Sequence, residues 1–299
     1  MFERCCSCPS CKKYNIKHSP KPITMSPNMD KAIKELIWYV PSIESFQADE
    51  NEYIKNKIYD NFAFTYVLEH MGMNENTDVK WLEPREVVSD DDWNFYENEI
   101  CCNCQKIILC RKTSSTDTHR LSKLNDLLRS LRNSIAHGHF ALVDDYIIGF
   151  NRQVAKDPLS KKRAVIKIKP QLLFDSINSL LSPSARELLV GYAFERVGYT
   201  VLHAKPFNGF TCDYLIEKDQ RKYALEIKDY QGTRFLHPEQ LRNFLANNVY
   251  PEYERVLFID TSRVTKDVRA LEKQIENFRI IDITQVKKLL ADNPEDILA

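Results

Sequence analysis

From Ala185 to Leu290 the apolar positions change period several times. Leu188, Leu189, Tyr192, Ala193 and Val197 recur at helical spacing, and Gly198 stands where a C-terminal cap belongs. Residues 200–204, 212–216 and 222–228 are short runs rich in aromatic and aliphatic side chains, which predicts strands. The polar run from Glu217 to Arg221 predicts the turn between the last two. A helix over 238–247, an apolar strand over 255–260, a helix over 266–277, a strand over 280–283 and a helix reaching Leu290 follow. The order α-β-β-β-α-β-α-β-α predicts an α/β domain with a mixed central sheet flanked by helices.

The amino-terminal half reads differently. Residues 30–39, 51–71 and 171–180 predict helices. In 121–140, Leu121, Leu124, Leu127, Leu128, Leu131 and Ile135 form a buried stripe at helical spacing that Gly138 ends. Asp144 to Phe150 looks like a hairpin, and the acidic stretch 74–100 reads as an irregular surface loop. A turn-like break, Leu181-Ser-Pro-Ser184, separates the halves. At 299 residues the chain is long enough for two cores, so we expect an α+β two-domain protein divided as 1–180 and 183–299.

Candidate chemistry falls on the two predicted strands of the second domain. The period of two puts Glu226 and Lys228 on one face, with Leu225 and Ile227 on the other. Asp213 on the neighbouring strand can then meet Glu226 across the ladder and share a metal. Phosphodiester cleavage needs such a carboxylate pair to hold Mg²⁺ against the phosphate, and a cation near the attacking water. A solvated strand face with alternating Glu and Lys would give the same local pattern.

Residues 183–295 resemble the Mrr-type branch of the PD-(D/E)XK restriction-endonuclease-like nucleases. The resemblance rests on the Glu187 helix ending in Gly198-Tyr199, on Asp213, on Glu226-Ile-Lys228, on Phe258-Ile-Asp-Thr-Ser-Arg-Val-Thr-Lys-Asp-Val268 and on Ile280-Ile-Asp-Ile-x-x-Val-x-x-Leu-Leu290. It implies Mg²⁺ or Mn²⁺ bound by Asp213 and Glu226. Lys228 would orient the water or stabilise developing charge, and Glu187 would be an accessory acid. Gln231 and Gln240 lie near the positions of a polar helper in such nucleases. Arg263 and Val264 stand where the family has a glycine and an aromatic, and no winged-helix DNA reader is evident upstream.

A second constellation lies in the Leu-rich helix of the first domain. Asn133 and His137 are four residues apart, hence on one face, with Arg132 beside them. Imidazole titrates near neutrality and is suited to removing a proton from a ribose 2′-hydroxyl, while Arg132 can hold the phosphate. A histidine at a helix C-terminus is also favoured by the dipole alone. The run Arg132-Asn133-x-x-x-His137 resembles the signature of HEPN domains. That resemblance implies a helical bundle, a homodimer, and metal-free cleavage of RNA in the branches that are active.

Nine cysteines are present, eight of them in two clusters: Cys5, Cys6, Cys8, Cys11 and Cys101, Cys102, Cys104, Cys110. Each contains Cys-x-x-Cys, and two such knuckles supply the four thiolates of a structural Zn²⁺. The preferred quartet is Cys8, Cys11, Cys101 and Cys104, with Asp30 to Met73 as an inserted helical pair. Disulfides or reactive thiols are the alternatives. No apolar signal segment is evident, so a reducing, cytoplasmic setting is expected.

Formal charge is zero, with 42 basic and 42 acidic side chains, so nucleic-acid binding must use local patches. The densest is Lys161-Lys-Arg163 to Lys167-x-Lys169. No apolar run reaches membrane-spanning length. The expected function is metal-dependent cleavage of foreign DNA in defence against phage or plasmids. The alternatives are a ribonuclease or toxin acting through Arg132 and His137, and a nucleic-acid-binding sensor without turnover.

Overall fold

The computed structural model describes residues 13–14, 25–38, 51–98, 100–101, 106–112, 122–153, 161–204, 212–229, 234–246 and 250–299. The chain divides into two compact units, Met1–Leu181 and Ser182–Ala299.

In the first unit β1 (Lys13–Tyr14) is followed by α1 (Pro27–Trp38), α2 (Glu52–Lys55), α3 (Asp60–His70) and α4 (Glu75–Asp78). Next come β2 (Val79–Leu82), α5 (Asp90–Asn98), β3 (Ile100–Cys101), β4 (Ile107–Arg111) and α6 (Lys123–Ala136). The strands β5 (Phe140–Val143), β6 (Tyr146–Gln153) and β7 (Lys161–Ile168) and the helix α7 (Pro170–Ser179) complete it. The predicted helix over 51–71 is broken because Asn56 ends one helix and starts the next turn. Its N–H bonds to Glu52 O while its side chain accepts from Ile58 N at 3.2 Å.

The expected helical bundle is corrected here. Helices α1, α3, α6 and α7 do pack on one another, but α6 also lies on a five-stranded mixed sheet of order β2-β4-β7-β6-β5. In that sheet β2 runs parallel to β4 and the other pairs are antiparallel. The supposed surface loop 74–100 supplies β2 and α5, and Trp93 and Tyr96 of α5 are buried against Leu109, Ile148, Phe150 and Val165. The basic run 161–169 is an inner strand, and Lys167 is 0% exposed with its Nζ 4.8 Å from the Tyr146 ring centre. A buried lysine head over an aromatic face is a satisfied core group, so Lys167 adds nothing to a nucleic-acid patch.

The second unit follows the predicted order. It contains α8 (Pro183–Arg196), β8 (Thr200–His203), β9 (Tyr214–Lys218), β10 (Arg221–Lys228), α9 (Pro238–Ala246), β11 (Glu254–Ile259), α10 (Lys266–Glu272), β12 (Phe278–Ile281) and α11 (Ile283–Leu290). The sheet order is β12-β11-β10-β9-β8, parallel from β12 to β10 and antiparallel from β10 to β8. Only Asp219 and Gln220 form the turn between β9 and β10, both at positive φ, as a two-residue hairpin demands. On one side α9 and α10 bury Leu241 and Val268 against Leu257, Ile259, Phe278 and Ile280. Helix α8 packs on α11 and β8.

Candidate active site

Helix α8 begins at a built N-terminus: the Ser182 side chain accepts from Ala185 N at 3.2 Å, and Pro183 occupies the first turn. Gly191, in mid-helix, admits the Tyr214 ring, since a Cβ there would sit 3.2 Å from Tyr214 Cζ. An interior glycine weakens a helix by about 1 kcal/mol relative to alanine. Here it lets α8 approach the start of β9, and it lies one turn beyond Glu187. Arg186, also in the first turn of α8, forms an ion pair of 2.6 Å with Asp229, the residue after β10.

Asp213 sits immediately before β9 and is held there twice. Its N–H donates to Leu225 O at 2.9 Å, and its Oδ2 accepts from Ile227 N at 2.6 Å. Glu226 and Lys228 lie on β10, in register with Leu257 and Ile259 of β11. Glu226 is 8% exposed, and its Oε1 accepts from Lys228 Nζ. Its Oε2 is buried and has no hydrogen-bond partner.

The carboxylates are electrically coupled. Burial raises Glu187 above the usual carboxylate range, the charge of Asp213 adds to this, and His203 opposes it. Asp213 is raised by burial, against the Ile227 N–H and the charges of Lys228 and His203. Glu226 is raised chiefly by burial, with Asp213 and Glu187 adding to it and Lys228 offsetting it. Asp213 raises both glutamates and Glu187 raises Glu226, one of whose oxygens has no partner, an arrangement that suits a hard divalent cation, which reverses these shifts. Among the described residues no cluster of three or more His, Cys, Asp or Glu side chains has metal-site spacing. Two carboxylates still fit Mg²⁺, which keeps several waters and completes its shell with substrate phosphate oxygens.

His203 was not singled out from the sequence. It enters through register, opposite Tyr214 on β9, with its ring centre 4.7 Å from that of Tyr214. Gln240 Oε1 accepts from His237 N at 3.0 Å at the start of α9, and Gln231 lies outside the described residues.

In the first unit, Arg132 and His137 are both on or at the end of α6. Arg132 Nη1 donates to Asn133 Oδ1 at 3.1 Å, and His137 is the exposed C-cap residue, its N–H bonded to Asn133 O. Of the cysteine quartet, Cys8, Cys11 and Cys104 lie outside the described residues. Cys101 belongs to β3, which pairs antiparallel with β1 so that Lys13 faces Cys101. Cys110 is a buried core residue whose thiol is pushed up to about 12 by burial.

No curated protein matches the chain. One solved structure that is similar is an ATP-dependent Type ISP restriction-modification enzyme, LlaBIII, bound to DNA. The identity is 18% and the TM-score 0.30, over 38% of this chain and 8% of that one. The chain thus spans a small part of that enzyme's length. Residues 179–290, which contain Glu187, Asp213, Glu226 and Lys228, match the restriction endonuclease family Mrr_cat, so this stretch resembles a domain of restriction-endonuclease type.

Proposed function

We propose that the protein is a Mg²⁺- or Mn²⁺-dependent DNA endonuclease that acts against foreign DNA, with its chemistry at Asp213, Glu226 and Lys228. The observation that carries this reading is the buried, unpartnered Oε2 of Glu226 beside Asp213, inside a domain of restriction-endonuclease type. A divalent cation supplies Lewis acidity and an activated water at such a site. Asp213 and Glu226 would hold it. Lys228 fixes Glu226 through Oε1 and places a positive charge where charge builds on the phosphate during attack. Glu187, electrostatically linked to Asp213, would be an accessory acidic residue close to the metal. Arg186 and Asp229 tie the start of α8 to the end of β10 and so position Glu187 against the strand that carries Glu226.

The test is cleavage of supercoiled plasmid DNA by the purified chain with Mg²⁺, with Mn²⁺ and with EDTA. Cleavage should require the metal, and Asp213→Asn and Lys228→Ala should each reduce it by at least about a hundredfold. Undiminished cutting by Lys228→Ala would overturn the assignment.

A second reading has one observation in its favour: His137 is exposed at the end of α6, and Arg132 lies little more than one turn before it. On that reading the first unit cleaves RNA without metal, as a dimer, and the second unit directs it to nucleic acid.

A further inference from the structure

Where β4 ends and β7 begins, a cavity of about 210 Å³ opens against α6 in the first unit. Its lining includes Arg111 from β4, Lys112 just after it, Arg163 from β7 and Arg129 from α6. Asp126 is the one acidic side chain in that lining, and Asn133 adds a neutral amide. Lys112 is already engaged with Glu83 at 2.8 Å. The charge of Asp126 favours Arg111, but three arginines outnumber that one carboxylate. Arg163 Nε is buried and has no acceptor. Burial, followed by repulsion from Arg111 and Arg129, lowers Arg163 to about 10, and burial likewise lowers Arg111.

Like charges gathered around a cavity, with a buried donor left open, are unfavourable unless an anion completes them. Guanidinium forks match the geometry of phosphate and bind its oxygens in pairs. A single carboxylate offers two oxygens and one charge, which is too little for three forks. A phosphate monoester or a diphosphate offers more acceptors and about two charges or more. The cavity is large enough for such a group but small for a whole duplex.

We propose that this cavity, formed by Arg111, Arg129 and Arg163, is a binding site for a phosphate monoester or diphosphate, supplied by a free nucleotide or by the phosphorylated end of a nucleic-acid strand. The site is separate from the carboxylates of the second unit and does not depend on the function assigned to them.

The test measures thermal unfolding of the full chain in increasing pyrophosphate, at constant ionic strength adjusted with chloride. The wild type should show a saturable rise in Tm. Arg129→Gln and Arg163→Gln should each weaken the dependence on pyrophosphate about tenfold or more. Without pyrophosphate both variants should melt no lower than wild type, because each relieves repulsion among the arginines. Arg129→Lys, which keeps the charge and loses the fork, should fall between. Competition by adenosine diphosphate, and by an oligonucleotide with a 5′-phosphate against its 5′-hydroxyl twin, then identifies the source of the phosphate. The proposal is overturned by a rise that chloride alone reproduces, or by no saturable rise at millimolar pyrophosphate. Glutamine variants that bind as wild type, or that are destabilised without anion, overturn it as well.

Discussion

Glu226→Gln separates metal binding from folding, because the same buried carboxylate that suits a cation works against the metal-free fold. One oxygen is bonded to Lys228, and the other is buried without a partner. A buried polar group left unsatisfied costs about 1–3 kcal/mol, and more when charged. The glutamine oxygen can still accept from Lys228, whose side chain is 40% exposed, so the loss on that side is about 1 kcal/mol or less. The sign follows from the raised carboxyl. A group that is harder to ionise in the fold than in the open chain stabilises fully below its unfolded value, about 4.3, and loses that contribution as pH rises through the higher folded value. At pH 8 glutamine therefore removes the burden of the buried charge, while its amide nitrogen takes over the unpartnered position. The metal-free variant should gain about 1 kcal/mol, or about 3–6 °C in Tm for a unit of this size. Mg²⁺ should reverse the ranking, since a ligand at about a hundred times its Kd adds about 2.7 kcal/mol to the wild type. The assay is thermal unfolding at pH 8 in EDTA and in Mg²⁺, beside plasmid cleavage. A variant that melts below wild type in EDTA, or one that keeps the full Mg²⁺-dependent rise, would refute the reasoning.

Asp60 accepts from Lys123 N at 2.6 Å at the start of α6, and burial raises it to about 6. Its contribution is present below about pH 4 and is lost as pH rises through 6, so Asp60→Asn should gain about 1–2 kcal/mol in urea unfolding at pH 8 and nothing at pH 4. Purified protein should carry one zinc per chain by elemental analysis, since β1 and β3 pair within a few residues of both Cys-x-x-Cys motifs; metal-free protein that unfolds as a single intact transition would remove that expectation. If the exposed His137 is a base, RNA cleavage should persist in EDTA and leave a 2′,3′-cyclic phosphate, and His137→Ala should abolish it while sparing Mg²⁺-dependent DNA cleavage. Intact RNA across varied substrates in EDTA would leave that half without ribonuclease chemistry.

The second unit was legible because its strands carry local signals. Glu226 and Lys228 alternate with apolar neighbours on a strand of eight residues, and Gly198 marks the end of α8, although the helix starts two residues earlier than Ala185, within the supposed break at 181–184. At Gly198 the backbone has φ +90°, a conformation that favours glycine and ends the helix. The first unit was less legible because its sheet is assembled from distant pieces. β2 has four residues inside an acidic stretch, and its parallel neighbour β4 starts 25 residues after β2 ends. β7 reads as a charge run, yet it lies between two partners and its Lys167 is fully covered. His203 illustrates the same limit at the site. Nothing local distinguishes it, and its nearness to Asp213 follows only from the pairing of β8 with β9.

The bond from Ile227 N–H to Asp213 Oδ2 determines how an inactive form of this protein should be made. Backbone pairing of β9 with β10 reaches Tyr214 opposite Leu225, and beyond that point the aspartate side chain takes the place of the next carbonyl. Alanine at 213 would remove a proposed metal ligand and also strand a main-chain donor, about 1–3 kcal/mol if water does not reach it. Asparagine keeps an acceptor for Ile227 and gives up only the charge. For capturing intact DNA on the protein, or for showing that a phenotype needs cutting and not merely the folded chain, Asp213→Asn is the informative control. An alanine at that position would confuse a lost reaction with a loosened strand.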